Sequence, residues 1–174
     1  MRLSGELQVA GDKSITHRAI ILSSLATGQT VIHNPLLGAD CLSTLEIFKQ
    51  FGVTYQLTAN QLIIDSPGVD GFTYSNSILD AGNSGTTARL LMGVLSALPT
   101  TLTLVGDASL SKRPMKRVTS PLKQMGACIE LTHDQTLPAT IKGLSHNGIE
   151  YELPVASAQV KSAIMLAAMF ASGE

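Results

Sequence analysis

The feature of this sequence that most restricts its fold is an internal repeat with a period of about 70 residues. Three short polar segments, each followed by an apolar run of helical composition, lie at residues 11–14, 81–85 and 155–159. The serines of these segments are 70 and 73 positions apart, and a glycine after an apolar residue recurs 74 positions apart, at Gly52 and Gly126. Two independent landmarks with one period predict a chain built from repeated structural units.

Each polar segment predicts the N-terminus of a helix. A helix N-terminus presents unpaired backbone N–H groups and the positive end of the helix dipole. Several such ends gathered in one place would form a binding site for anions. The repeat therefore predicts ligands that carry phosphate or carboxylate groups.

Hydrophobic periodicity and turn residues predict the same order of elements in each unit. In the first unit we predict helices at 14–26 and 40–51, capped by Ser14 and Asp40, and strands at 30–33, 53–57 and 62–65. In the second unit we predict helices at 84–98 and 115–125 and strands at 102–105, 127–131 and 139–141. The third unit supplies a strand at 149–153 and a helix at 157–170.

This order is a repeated βαβαββ unit, of which about two and a half copies are present. Alternating helices and strands predict an α/β (α+β) fold in which helices pack against sheets that each expose one face. We expect a single, incomplete domain over 1–174, with units at about 14–80, 81–145 and 146–174. The helix of the third unit, at 157–170, is apolar on nearly every side, which is typical of a helix buried in a larger assembly. Little sequence follows this helix. We therefore expect a truncated chain.

Composition and charge restrict the partners. With 44% hydrophobic residues and a net charge of −1, the chain can bury a core but has no overall positive charge for nucleic acid or anionic membranes. Cys41 and Cys128 lack metal-ligand spacing, which predicts reduced thiols. The most hydrophobic stretch, 164–170, is far shorter than the roughly 20 residues of a membrane span, and no signal-peptide pattern is present. We expect a cytoplasmic protein without nucleic-acid or membrane partners.

Four segments together resemble the 5-enolpyruvylshikimate-3-phosphate (EPSP) synthase family: residues 11–18, 79–89, 112–115 and 157–159. The resemblance implies the enolpyruvyl transferase fold, with helices packed inside sheets. It also implies transfer of the enolpyruvyl group from phosphoenolpyruvate to the 5-hydroxyl of shikimate-3-phosphate, with release of phosphate. This reaction belongs to the shikimate pathway toward chorismate and the aromatic amino acids. No metal and no organic cofactor are implied.

Members of this family are more than twice as long as this chain and consist of two domains. The resemblance therefore implies a missing second domain as a partner. In the family, the carboxylates that handle protons belong to that other domain. We assign no catalytic residue to this chain and expect it to be inactive alone.

The resemblance also implies the substrate contacts. For shikimate-3-phosphate they are Lys13, Ser14, Arg18, Ser157, Ala158 and Gln159. For phosphoenolpyruvate they are Lys13, Gly85, Arg113 and Gln159. The missing Cβ of Gly85 would leave room for the inhibitor glyphosate, so we expect glyphosate sensitivity. Two positions depart from the family pattern: Leu90 replaces a common proline, and Ala158 replaces a common serine and keeps only a backbone contact.

The same segments also have ordinary structural interpretations. Ser14 can be a simple helix cap beside a solvated lysine and arginine. Residues 82–87 can be a glycine-rich turn into a helix. A nucleotide P-loop is rejected because an aspartate separates the glycine from the lysine in residues 11–13.

Other polar residues are given no chemistry. Lys112, Lys116 and Arg117 are predicted to be surface charges. The histidines lack metal-ligand spacing on a helix; they are His17, His33, His133 and His146.

Two other functions are open. A non-catalytic anion-binding or interaction module could use the same repeats, and its unfinished edge would favour self-association. The related enolpyruvyl transferase that acts on UDP-N-acetylglucosamine shares the architecture. It is less favoured, because it typically carries a reactive cysteine in the loop that matches residues 107–117, where this chain has none.

Overall fold

The strands of the described residues pair into three sheets. The computed structural model describes residues 4–7, 9–133 and 135–173. Its helices are α1 (Lys13–Leu25), α2 (Ala39–Lys49), α3 (Gly85–Leu95), α4 (Lys116–Gln124) and α5 (Ala158–Ala168). Its strands are β1 (Thr27–His33), β2 (Thr54–Leu57), β3 (Gln61–Pro67), β4 (Ile78–Asp80), β5 (Thr101–Val105), β6 (Cys128–Glu130), β7 (Ala139–Lys142), β8 (His146–Asn147) and β9 (Ala171–Ser172). Short 3₁₀ helices span Val69–Gly71 and Leu110–Lys112.

Together with β4, which lies at the end of the predicted first unit (14–80), the second unit shows the full βαβαββ order. Its sheet has the strand order β4-β5-β7-β6, in which β4 and β5 are parallel and the other pairs are antiparallel. The first sheet, β1-β3-β2, repeats the antiparallel part, and the third, β8-β9, repeats the parallel pair. A parallel pair needs a crossover connection, which α3 and α5 supply. The predicted α/β fold of repeated units is confirmed, whereas the domain limits stay a prediction.

The alternation along β3 explains how a sheet covers the helices. Leu62, Ile64 and Ser66 of this strand are buried, and the residues between them are more exposed. Successive side chains of a strand point to opposite faces of the sheet. One face of the first sheet therefore packs against α1, and the other face lies outside.

Helix α3 lies at the centre of the molecule. Ten of its eleven residues are buried, and it packs against each of the other four helices. Burying each large apolar side chain contributes about 1.5–3 kcal/mol, which favours this central position. At Gly93 the α5 backbone comes so close that a Cβ would overlap the carbonyl oxygen of Ala163. Glycine therefore permits the close approach of α3 and α5.

Two of the predicted helix caps are wrong. The N-cap of α1 is Asp12, whose Oδ1 accepts a 2.7 Å hydrogen bond from the backbone N–H of Ile15. A carboxylate at this position both accepts the free N–H and complements the helix dipole, so α1 begins one residue before Ser14. The N-cap of α2 is Gly38, and Asp40 lies in the first turn of that helix.

The predicted strand at 149–153 is also wrong. The strand of the third unit is instead β8, which pairs with β9. Residues 149–153 alternate between half-buried and exposed positions, as a strand does, but the structure assigns them no strand. The alternation reflects an extended segment that packs Ile149 and Leu153 against the core.

Helix α5 is only partly covered by the rest of the described chain. Its buried residues are Val160, Ala163, Leu166 and Ala167. Met165, within the same helix, and Met169, its C-cap, are 60% and 58% exposed. Among the helices of the described residues, none has both the length and the apolar character needed to cross a membrane.

Candidate functional site

Side-chain contacts join the start of α1 to the start of α5. Arg18 of α1 donates from Nε and Nη2 to the hydroxyl oxygen of Ser162 on α5, at 3.1 and 2.7 Å. Its Nη2 also lies 3.4 Å from the carbonyl oxygen of Ala158, and its Nη1 donates to the carbonyl oxygen of Ser14 at 2.8 Å. The first and third polar segments of the repeat therefore meet.

Gln159 joins the start of α5 to the start of α3. Its Nε2 donates to the hydroxyl oxygen of Thr86 at 3.1 Å. Its Oε1 accepts hydrogen bonds from Arg89 Nη1 at 3.0 Å and from Arg117 Nη2 at 3.5 Å. The second and third polar segments are therefore also in contact, and two arginines converge on one amide.

The backbone of Gly85, at the start of α3, lies directly beside two guanidinium groups. A Cβ at this position would be 2.9 Å from Arg89 Nη1 and 3.3 Å from Arg113 Nη1. Ser84 caps the helix, because its hydroxyl oxygen accepts a 3.1 Å hydrogen bond from the backbone N–H of Thr87. The glycine allows the helix N-terminus and the two arginines to form one positive surface.

Arg113 is oriented by an amide that is itself held by a carboxylate. Its Nη2 donates to Asn83 Oδ1 at 2.9 Å, and Asn83 Nδ2 donates to Asp107 Oδ2 at 2.6 Å. The hydrogen bond from Asn83, followed by one from the backbone N–H of Leu110, lowers the pKa of the Asp107 carboxyl. Asp107 therefore stays charged and fixes the amide that aims Arg113.

Arg89 lies at the end of the segment 79–89, but the predicted substrate contacts do not include it. Its side chain is only 7% exposed, and burial, followed by the positive charges of Arg117 and Arg113, lowers the pKa of its guanidinium. A buried positive charge is costly unless it is paired, and its neighbours are also positive. The signal in the sequence is that Arg89 is the one charged residue of α3. Arg117, predicted as a surface charge, is exposed but also contacts the site through Gln159.

Lys13 lies at the same end of the molecule but already has an acidic partner. Its ammonium group forms an ion pair with Asp40, whose predicted role was only that of a helix cap. The pair links α1 to α2, and both side chains are partly exposed. Lys13 is therefore available to an anion only if that anion shares or replaces the carboxylate of Asp40.

A buried hydrogen-bonded chain lies behind these helix starts. His17 Nδ1 is 2.9 Å from Thr44 Oγ1, which is 2.7 Å from Thr87 Oγ1, and this hydroxyl donates to Ser84 Oγ at 2.7 Å. The chain connects α1, α2 and α3. Burial is the main cause that lowers the pKa of His17 to about 4, so its ring is neutral at neutral pH.

The predicted site residues thus fall into two connected groups. Ser14, Arg18 and Ala158 form one, and Gly85, Arg113 and Gln159 form the other, with Arg89 between the members of the second. Ser157 caps α5 and lines a cavity of about 430 Å³ beside the site. Within the described ranges, no three His, Cys, Asp or Glu side chains are grouped so that they could hold a metal ion.

Comparison with known proteins identifies one family. A family model for EPSP synthase (3-phosphoshikimate 1-carboxyvinyltransferase) matches residues 1–174. The chain is 55% identical to the 3-phosphoshikimate 1-carboxyvinyltransferase of Staphylococcus haemolyticus over 170 residues, which are 98% of this chain and 39% of that protein. It is 46% identical to the protein of that name from Bacillus subtilis over 172 residues, which are 98% of this chain and 40% of that protein.

A solved structure gives the same result for the fold. An EPSP synthase from Acinetobacter baumannii superposes with a TM-score of 0.92 and 45% identity, over 97% of this chain and 39% of that chain. This chain therefore spans about two fifths of the length of the relatives that it matches. The match nevertheless includes every polar segment described above, and the chain belongs to the EPSP synthase family.

Proposed function

We propose that this chain forms a substrate-binding surface for enolpyruvyl transfer from phosphoenolpyruvate to the 5-hydroxyl of shikimate-3-phosphate, with release of phosphate. The observation that carries the proposal is the convergence of Arg89, Arg113 and Gln159 on the start of α3 at Gly85. The names of the relatives support the same reaction. The reaction is a step toward chorismate and the aromatic amino acids.

The electrostatics of the site support anionic substrates. Burial, followed by the positive charges of Arg117 and Arg113, lowers the pKa of the Arg89 guanidinium. Like charges repel one another, and an anion would relieve the repulsion. The planar guanidinium forms paired hydrogen bonds with carboxylate or phosphate, and the adjacent helix N-terminus adds backbone donors.

We assign the two connected groups to different substrates. The phosphoenolpyruvate contacts proposed are Lys13, Gly85, Arg113 and Gln159. The shikimate-3-phosphate contacts proposed are Lys13, Ser14, Arg18, Ser157, Ala158 and Gln159. Gln159 belongs to both sets because it follows Ala158 at the start of α5 and its side chain reaches Thr86 and Arg89 of α3.

Turnover is proposed for a protein of the relatives' full length, and no proton-transfer residue is assigned to this chain. The test is a hybrid in which this chain is joined to the remaining length of the Staphylococcus haemolyticus relative. Phosphate release should require both substrates. Arg113→Ala should lower kcat/KM about 10- to 100-fold, because a lost hydrogen bond to a charged group costs about 1.5–3 kcal/mol.

The matched control is Lys142→Ala, which removes one positive charge from an exposed position of β7. It should leave kcat/KM unchanged. A folded hybrid that releases no phosphate from both substrates, while the unaltered relative does, would contradict the proposed reaction. An Arg113→Ala hybrid as active as the Lys142→Ala hybrid would remove Arg113 from the site.

Two further properties are proposed. Glyphosate carries a phosphonate and a carboxylate, so we infer that it competes with phosphoenolpyruvate at Gly85 and Arg113. Its inhibition constant in the hybrid tests this, and inhibition that phosphoenolpyruvate does not relieve would contradict it.

A cytoplasmic location is supported by the two free cysteines, Cys41 and Cys128.

A further inference from the structure

We propose that Ser162 is a positioning residue that holds the Arg18 guanidinium in the orientation that binds shikimate-3-phosphate, an inference that rests on the proposed function. Neither the helix-start motifs nor the family resemblance singles out Ser162. The residue lies on α5, and its hydroxyl oxygen accepts hydrogen bonds from Arg18 Nε at 3.1 Å and Nη2 at 2.7 Å. One hydroxyl therefore occupies one complete edge of the guanidinium.

The Ser162 hydroxyl is itself held in place. It donates a 2.7 Å hydrogen bond to the carbonyl oxygen of Ala158, one turn earlier in α5. With its single proton committed to that carbonyl, the oxygen presents its lone pairs to Arg18. The hydroxyl thus acts as a fixed acceptor, and its position follows the backbone at the start of α5.

The remaining donors of Arg18 show what this orientation achieves. A guanidinium has five N–H donors in a rigid planar fork. Ser162 takes the edge shared by Nε and Nη2, and the carbonyl oxygen of Ser14 accepts from Nη1 at 2.8 Å. The other contact, from Nη2 to the carbonyl oxygen of Ala158, is long at 3.4 Å. We therefore place a phosphate oxygen at the edge shared by Nη1 and Nη2, where it would replace the long contact to Ala158.

The surroundings explain why a hydroxyl is needed. Arg18 and Ser162 form one end of a cavity of about 230 Å³ whose other walls are apolar. These walls are Leu22, Met165, Leu166 and Met169. Without the hydroxyl, Nε would have no acceptor beside the apolar walls and Nη2 would keep only the long contact to Ala158, and a charged group does not remain unpaired there. The guanidinium would turn toward solvent.

The experiment uses the 174-residue chain. Calorimetry measures the dissociation constant of shikimate-3-phosphate, and NMR follows the Nε–H proton of Arg18. Ser162→Ala removes the acceptor, and Ser162→Thr restores it. The matched control is Ser43→Ala, because the Ser43 hydroxyl makes the same bond to the carbonyl one turn earlier, that of Ala39, at 3.1 Å. Thermal unfolding is recorded for every variant.

We expect Ser162→Ala to expose the Arg18 Nε–H proton to rapid solvent exchange and to weaken shikimate-3-phosphate binding roughly tenfold. Ser162→Thr and Ser43→Ala should keep both properties. Unchanged affinity or an unchanged Nε–H signal in Ser162→Ala would overturn this inference but not the proposed function. Equal weakening in Ser43→Ala, with equal loss of stability, would also overturn it. No saturable binding by the unsubstituted chain would overturn the proposed function, and the inference with it.

Discussion

At the scale of single residues, His17 lies in the buried hydrogen-bonded chain beneath the helix starts and adds no charge to the anion site at neutral pH. Its side chain has no exposed surface, and its Nδ1 is 2.9 Å from Thr44 Oγ1. Burial outweighs the attraction of Asp40 and lowers the pKa of the ring to about 4. The ring is neutral at neutral pH, so the buried chain of hydroxyls between α1 and α3 carries no charge.

This pKa predicts that acid destabilises the protein through His17. Since the unfolded ring has a pKa of about 6.5 and the folded ring about 4, the unfolded state takes up the proton first. The neutral His17 ring contributes fully to the free energy of unfolding above about pH 6.5. As the pH falls to about 4, that free energy decreases by about 3 kcal/mol at most.

Urea unfolding at neutral and mildly acidic pH measures the effect. The free energy of unfolding of His17→Gln should decline less with acid than that of the unsubstituted chain, even if the variant is less stable at neutral pH. Equal declines in the two proteins would contradict the assignment of this pH dependence to His17.

The predictability of single residues depends on how far away their partners lie. Ser84 and Ser157 are N-caps that bond to N–H groups three residues ahead, and such caps can be recognised in the sequence. The hydrogen bond between Arg89 and Gln159 joins residues 70 positions apart and exists only because α3 and α5 pack together. Local sequence therefore predicts where a helix begins, but not which side chain of another helix meets it.

At the scale of elements, the contact between α3 and α5 holds two helix starts in their relative positions. Gly93→Ala would place a methyl group on the carbonyl oxygen of Ala163. We expect a loss of about 1–3 kcal/mol or more in the free energy of unfolding, because backbone atoms cannot yield as a flexible side chain can. Urea unfolding with a fixed m-value measures this loss.

The control for Gly93→Ala is Gly38→Ala. At Gly38 the backbone φ is −79°, and the nearest atom to a new Cβ is 3.5 Å away, in the side chain of Leu36. This variant should change the stability by less than about 1 kcal/mol. Similar losses in the two variants would show that the α3–α5 contact is more tolerant than the backbone geometry indicates.

Elements differ in how well the sequence predicts them. Each of the five helices lies within a few residues of its predicted limits, because apolar residues recur with helical spacing along 9 to 13 residues. The strands β4, β8 and β9 have only two or three residues and lie outside the predicted strands. The equally short β6 lies within the predicted strand at 127–131, because apolar residues flank it on both sides. A strand without such flanking residues carries no pattern of its own and forms where a partner strand comes alongside it.

At the scale of the whole molecule, the repeat leaves one groove between helices uncovered. The helix α2 packs against α1 and α3, and α4 packs against α3 and α5. The equivalent groove between α5 and α1 contains no helix of the described residues. Its apolar walls include Leu22, Met165 and Met169, which are 48%, 60% and 58% exposed.

This groove predicts weak self-association of the 174-residue chain. Exposed apolar surface gains about 25 cal/mol for each Å² that is removed from water, and a second copy supplies the same apolar strip. Sedimentation velocity should show an average mass that rises with protein concentration. Met165→Glu should abolish the rise, because burying an unpaired carboxylate is costly. Val31→Glu, at an exposed position of β1, should not. A mass that stays monomeric at every concentration, or an equal effect of the two variants, would show that this groove does not associate.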